Sequence, residues 1–211
     1  MFDYFIQFPK RKMSTEITTE QIKTLRDQTG VSVMLCRKAL EDASGDIEKA
    51  KVILQRKGAA AAAKKADRTL GAGTVASYIH HGGTVGVLVE LASETDFVSG
   101  NEAFKALAHD IAMHIAAAKP EYLNREEVSD EVLARAKEVL QKEVDGKPRE
   151  MHEKIIEGKL NSYFAEKVLL EQPFIKNPDQ TVRNLIENSI QKFGEKIEIA
   201  RFARYSSGNR S

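Results

Sequence analysis

The stretch VGVLVELASETDFVSGNEAFKALAHDIAMHIAAAKP, Val85 to Pro120, decides how this chain folds. Two periods meet in it. Val85, Val87, Val89 and Leu91 alternate with Gly86, Leu88 and Glu90, the two-residue period of a strand with one face on a core. From Asn101 onward Phe104, Leu107, Ala108, Ile111, Ile115 and Ala118 recur at helical spacing, and Pro120 stops the run. A strand that feeds a long helix through a short polar turn predicts an α+β core. The turn, Thr95-Asp96-Phe97-Val98, sets an aromatic ring beside a carboxylate. A ring in such a turn either folds back on its own core or meets a partner, because leaving it in water is costly.

Upstream, 75–80 reads as a second strand, and His81-Gly82-Gly83 makes a hairpin with the first. Three short helices open the chain. The first starts near Thr18 and Thr19, carries Ile22 and Leu25, and stops at Thr29-Gly30. The second runs from Ser32 through Val33, Met34, Leu35, Ala39 and Leu40 to Ser44-Gly45. Asp46 caps the third, with Ile47, Ala50, Ile53 and Leu54 in a stripe and Gly58 as its expected end. A bundle of about forty residues has little core and leaves apolar surface for a partner. The following AAAAAKKADR, 59–68, is rich in helix formers and reads as a helical linker, with Lys64 and Lys65 on a solvated face.

Downstream, helical patterns cover 130–144, 150–157 and 159–168, with a break at Gly146-Lys147-Pro148. Pro173 and Pro178 fence a turn. A last helix carries Val182, Leu185, Ile186, Ile190 and Phe193, and a strand over 196–204 alternates Ile197 and Ile199 with charge. The domain layout expected is a disordered extension over 1–13, a three-helix domain over 14–58, a linker over 59–72, a core over 73–205 and a flexible tail over 206–211. The opening MFDYFIQFPKRK lacks the apolar region and cleavage site of a signal peptide, and Met13 stands directly before the first helical signals.

Composition narrows the function classes. In 211 residues, 42% are apolar and 30% charged, an ordinary balance able to bury a core. A net charge of +1 provides no global field toward nucleic acid or an anionic membrane. The single cysteine, Cys36, cannot form an internal disulfide and sits among apolar helix residues. No apolar run approaches the ~20 residues needed to span a bilayer. Gly71-Ala72-Gly73-Thr74-Val75-Ala76 fits a dinucleotide pattern but lies between a helix and a strand, the reverse of the order that motif needs. No triphosphate-binding loop, nucleophile elbow or metal-spaced cluster is present. His109 and His114 are five apart, about 140° around a helix at ~100° per residue, which does not converge on one ion. The sequence therefore implies no cofactor, no metal and no catalytic residue.

Several separated motifs resemble one family. Thr29-Gly30, Met34, Cys36, Arg37-Lys38-Ala39-Leu40 and Gly45-Asp46-Ile47-Glu48-Lys49-Ala50 are similar to the N-terminal bundle of bacterial-type elongation factor Ts. Tyr78-Ile79-His80, Gly86-Val87-Leu88-Val89-Glu90, Glu94-Thr95-Asp96-Phe97-Val98, Ala108 to His114, Lys119-Pro120 and Gln172-Pro173-Phe174 resemble its core. The likeness runs from about Thr18 to Arg204, in order. It implies a ubiquitin-associated-like N-terminal bundle, a helical linker, and an α+β core with a small antiparallel sheet packed on helices. It implies a cytoplasmic guanine-nucleotide exchange factor, not an enzyme, whose partner is the GTPase elongation factor Tu. Asp96 and Phe97 would enter the partner near its magnesium, with Thr95 and Val98 shaping the turn. His80 is expected to touch the partner near the same place, and Val33 and Met34 to face it from the bundle.

Two departures from the family pattern stand out. Ala92 and Ser93 replace the Asn-Cys often found before the turn. The chain also carries one core half-domain where longer members carry two. Short members can pair with a second copy, so a homodimer forming a 2:2 complex is expected, with Met113 and the alanines 112, 116 and 117 as candidate contacts. The competing reading is a helical adaptor of the translation machinery that binds through Val33 and Met34 and has no exchange activity.

Overall fold

The computed structural model describes residues 16–144 and 149–207. The expected extension over 1–13, the break at 146–148 and residues 208–211 of the expected tail lie outside the described residues. The tail's first two residues are not free, since Ser206 ends a strand and the Ser207 N–H donates to the Thr84 carbonyl. The chain packs as two units that divide between Arg56 and Lys57. The described residues hold eight α-helices and a small antiparallel sheet, the α+β class expected.

In the first unit, α1 (Thr19–Thr29) starts in a capping box between Thr18 and Gln21 and ends at Gly30 in the left-handed region. The Ser32 hydroxyl caps α2 (Val33–Asp42) by accepting from the Leu35 N–H. The third helix, α3 (Ile47–Ala63), completes the cluster, with Leu25, Val31, Cys36, Leu40 and Leu54 sealed inside. Burial pushes the Cys36 thiol up from its ordinary pKa, which keeps it a neutral packing group.

Gly58 does not end α3. The helix continues to Ala63, because one glycine costs only about 1 kcal/mol in a helix otherwise followed by five alanines. Its role is close approach: a Cβ there would lie 2.7 Å from Gln191 Nε2 and 3.2 Å from Glu187 Cβ, both on α8 (Val182–Phe193). The expected division at Gly158, between 150–157 and 159–168, is likewise absent. The structure has one helix, α7 (Arg149–Lys167), running through it. This helix packs against α6 (Asp130–Val144), and Val128, Phe164 and Val168 make a small core of their own.

The second unit is built on three antiparallel strands, β1 (Ala72–Ile79), β2 (Val85–Ser93) and β5 (Ile197–Ser206), with β2 in the middle. β1 and β2 form the expected hairpin, paired from Ala72↔Ser93 to Ile79↔Gly86. β2 and β5 pair from Val85↔Ser206 to Ser93↔Ile197. Their register shifts by one residue between Glu90 and Leu91, leaving Ala200 as the extra residue of a bulge. The shift changes the phase of β5. Ile197 and Ile199 face inward on one side of the bulge, and Phe202 and Arg204 do so on the other. Without it, one of the two pairs would turn outward.

Helix α5 (Glu102–Ala118) lies on the inner face of the sheet, capped by the Asn101 side chain. Val89 and Leu91 share one core with Phe104, Ile111 and Ile115 of α5 and with Ile186 and Ile190 of α8. Each such fully buried side chain contributes about 1.5–3 kcal/mol against the conformational entropy of folding. Arg204 reaches from β5 to the Ala116 carbonyl at 3.1 Å, placing a cation at the C-terminal end of α5. Ala112 and Ala116 are buried in this core. The expectation that they serve a second copy is therefore corrected: their small size lets this chain's own elements approach.

The segment between Pro173 and Pro178 is a small hairpin of β3 (Pro173–Phe174) and β4 (Asn177–Thr181). A buried histidine anchors it. His114 Nδ1 accepts from the Ile175 N–H at 3.2 Å, so the ring proton sits on Nε2, which donates to Gln172 Oε1 at 2.9 Å. Gln172 Nε2 in turn donates to the Ala118 and Glu166 carbonyls. Burial lowers the His114 pKa, partly offset by the Gln172 bond. Below about pH 6.5 the unfolded chain binds a proton here that the folded ring refuses, so stability falls by up to ~1.4 kcal/mol per pH unit until the folded pKa is reached. Urea unfolding at about pH 7.5 and 5.5 tests this sign. His114→Gln should be less stable at the higher pH yet lose less on acidification; equal losses in both proteins would refute the assignment.

Candidate partner-binding site

The Thr95 turn is a single helical turn, α4 (Asp96–Ser99), set between the end of β2 and the cap of α5. Successive residues of a helix point about 100° apart, so this turn cannot bury all its side chains. Val98 is the residue that goes in, 4% exposed and part of the main core. Phe97 goes out, 83% exposed. Self-burial of the ring, one of the two alternatives left open by the sequence, does not occur. Asp96 is exposed beside it, and its carboxylate has no hydrogen-bond partner among the described residues.

The turn's backbone is tied from several sides. The Thr95 carbonyl accepts from the Ser99 N–H at 3.2 Å and from Ser93 Oγ at 2.9 Å. The Asp96 carbonyl accepts from the Gly100 N–H at 2.8 Å. Thr74 Oγ1, from β1, donates to the Ser99 carbonyl at 2.9 Å. The preceding residue, Glu94, accepts from the Lys196 N–H and forms an ion pair with Arg68. The Lys196 backbone bond, followed by Arg68, holds the Glu94 carboxyl below its ordinary pKa.

Three further hydrogen bonds were not legible in the sequence. Glu195 and Lys196 meet Thr95 and Glu94 although about a hundred residues separate them, as the sequence offsets of 100 and 102 show. They continue the β2–β5 register: the rung after Ser93↔Ile197 is Glu94 with Lys196, and the next is Thr95 with Glu195. Gly194, at φ 75°, closes α8 in the left-handed region and turns the chain toward these rungs. That cap was a readable signal; the strand pairing that gives it meaning was not.

The structure does not bring His80 to this turn. His80 sits in the β1–β2 loop, with Nδ1 3.1 Å from the Tyr78 hydroxyl. The loop is at the Val85 end of β2 and the turn is past its Ser93 end. Eight steps at ~3.3 Å place the two ends roughly 26 Å apart. The expectation of a shared location is corrected by this strand length. His109 stacks edge-on against Tyr78, well separated in role from buried His114. Val33 and Met34 stand in the first unit at the start of α2, with Met34 82% exposed.

The outer face of the sheet is a further exposed apolar surface among the described residues. Val75, Ile79, Leu88 and Tyr205 all point away from α5, and the Gly86 rung between Ile79 and Tyr205 opens a groove of about 770 Å³. No helix of the described residues is long and apolar enough to cross a membrane.

The class that emerges is an α+β chain whose sheet and long helix present an exposed aromatic–carboxylate turn. A family model described as Elongation factor TS matches residues 59–209. The "Elongation factor Ts" of Carboxydothermus hydrogenoformans is 53% identical over 194 residues, covering 91% of this chain and 89% of that protein. Those of Desulforamulus reducens and Syntrophomonas wolfei are 51% and 53% identical, over 92% and 91% of this chain and 90% and 91% of theirs. The chain belongs to the elongation factor Ts family, a family of translation elongation factors.

The contrast within the turn is measurable. Phe97→Ala is expected to leave the unfolding free energy within ~0.5 kcal/mol, since nothing is unpacked. Val98→Ala removes two buried methyl groups and should cost about 2 kcal/mol. Denaturant midpoints for the two variants check it; a large loss for Phe97→Ala would show that the ring is packed.

Proposed function

We propose that this chain is a guanine-nucleotide exchange factor for elongation factor Tu, acting by binding and not as an enzyme. Asp96 and Phe97 are the wedge that disturbs the partner's magnesium and phosphate site, and Thr95 and Val98 shape it. The observation that carries this reading is the exposed Phe97 ring on a turn whose Thr95 and Asp96 carbonyls are already bonded within the chain. A factor that binds the nucleotide-free partner better than the nucleotide-bound one must weaken nucleotide binding by the same factor. It needs no catalytic group, only differential fit. Burying one phenylalanine ring is worth about 1.5–3 kcal/mol, a ten- to hundredfold effect on such an equilibrium.

In the same reading, residues 14–58 are a ubiquitin-associated-like domain that docks on the partner through Val33 and Met34. Residues 59–72 link it to a core over 73–205, and His80 is a separate contact. The protein acts in the cytoplasm, with no direct contact to nucleic acid or membrane. A second copy completes the platform as a 2:2 complex. The uncovered outer face of the sheet favours this, since two such faces can stack as a sandwich and remove Leu88 and Tyr205 from water.

Stopped-flow release of a fluorescent GDP from elongation factor Tu tests the wedge. Phe97→Ala should slow stimulated release about ten- to hundredfold with the fold intact. Unchanged release would refute it. The adaptor reading instead requires loss of binding on changing Val33 and Met34 with release unaffected by Phe97. Leu88→Glu should convert a dimer to monomers by light scattering; a wild-type chain that is monomeric at micromolar concentration refutes the 2:2 assembly.

A further inference from the structure

We propose that Glu195 is a positioning residue for exchange: its carboxylate holds Thr95 so that the Asp96–Phe97 pair projects in one orientation. The inference rests on the reading of that pair as the exchange wedge and adds to it a residue from the far end of the core. Thr95 occupies the position of a helix cap, with extended backbone at φ −129° and ψ 158°. A capping threonine ordinarily accepts from an N–H of its own helix. Thr95 makes no such bond. Its hydroxyl donates to Glu195 Oε1 at 2.6 Å and its N–H to Glu195 Oε2 at 3.1 Å.

One carboxylate thus takes both donors of one residue, and the Thr95 carbonyl is taken by Ser99 and Ser93. Every polar group of Thr95 is engaged, while the next two side chains are exposed. The arrangement fixes the backbone from which the wedge springs and leaves the wedge itself unengaged. Two features keep Glu195 in place. Gly194 turns the chain out of α8 immediately before it, and Lys196 immediately after it is bound through its N–H to Glu94. The bonds are at the surface, where they add little to global stability. Their effect is on orientation, which lowers the ordering cost when a ring enters a partner.

The test uses the full chain with elongation factor Tu and fluorescent GDP, together with amide hydrogen exchange read by NMR. Glu195→Ala should accelerate exchange of the Thr95 amide and slow stimulated GDP release about tenfold, the scale of one hydrogen bond to a charged group. Glu195→Gln, which keeps one acceptor oxygen, should recover part of both. The melting temperature should move little, which separates positioning from general destabilisation. In a Phe97→Ala background, Glu195→Ala should have no further effect on release. If Phe97→Ala slows release but Glu195→Ala alters neither release nor the Thr95 amide, the positioning role is refuted and the wedge stands. If Phe97→Ala leaves release unchanged, the wedge reading fails and the exchange role of Glu195 fails with it.

Discussion

The pairing of β2 with β5 is the constraint on which the core unit depends. It joins segments about a hundred residues apart, and its register decides which side chains face α5 and α8. A slip by one residue would turn Val87, Val89 and Leu91 to solvent. The bulge at Ala200 belongs to the same constraint, because it lets both halves of β5 place their larger residues inward. The ladder does not stop at Ser93 and Ile197. Two further rungs made by side chains carry it into the exposed turn, so sheet register and turn orientation are set together.

What was legible in the sequence was local. The alternation in β2, the stripe of α5 and the punctuation by Gly30 and Pro120 each report on neighbours within a few residues, and those elements appear as read. Glycine misled at Gly58, because a glycine that ends a helix and one that admits a neighbour look alike until the neighbour is known. Gly158 lies in open space inside α7, where the helix simply bears the cost of a glycine. The Pro173–Pro178 segment reads as a bare turn because its partner, His114, is about sixty residues away, as the offset of 61 to Ile175 shows. The prominence of Thr95 to Val98 was legible. The clamp from Glu195 was not, since a lone glutamate after a helix cap is ordinary surface chemistry. His80 was joined to the turn by resemblance, and the length of one strand separates them.

The exposed ring and the buried valine beside it illustrate how a folded chain can hold an apolar group in water. Val98 and the core behind it fix the turn, and the stability lost at Phe97 is small against the rest. The sheet's outer face repeats the pattern on a larger scale. Gly86 in the central strand keeps that face open where a larger residue would close the gap between Ile79 and Tyr205.

The position of β5 in the chain also sets a schedule. During synthesis, α1, α2 and the start of α3 can pack as soon as they emerge, since their contacts are local. The long-range unit cannot. β1 and β2 emerge early but lack their third strand until residues near 206 are made, and Thr95 lacks its carboxylate until residue 195 is made. A nascent chain of this protein therefore carries an unpaired strand edge and a Phe97 turn without its Glu195 clamp for roughly half of the elongation time of these residues. Emergence of β5 is the event that closes that edge and adds the clamp on Thr95.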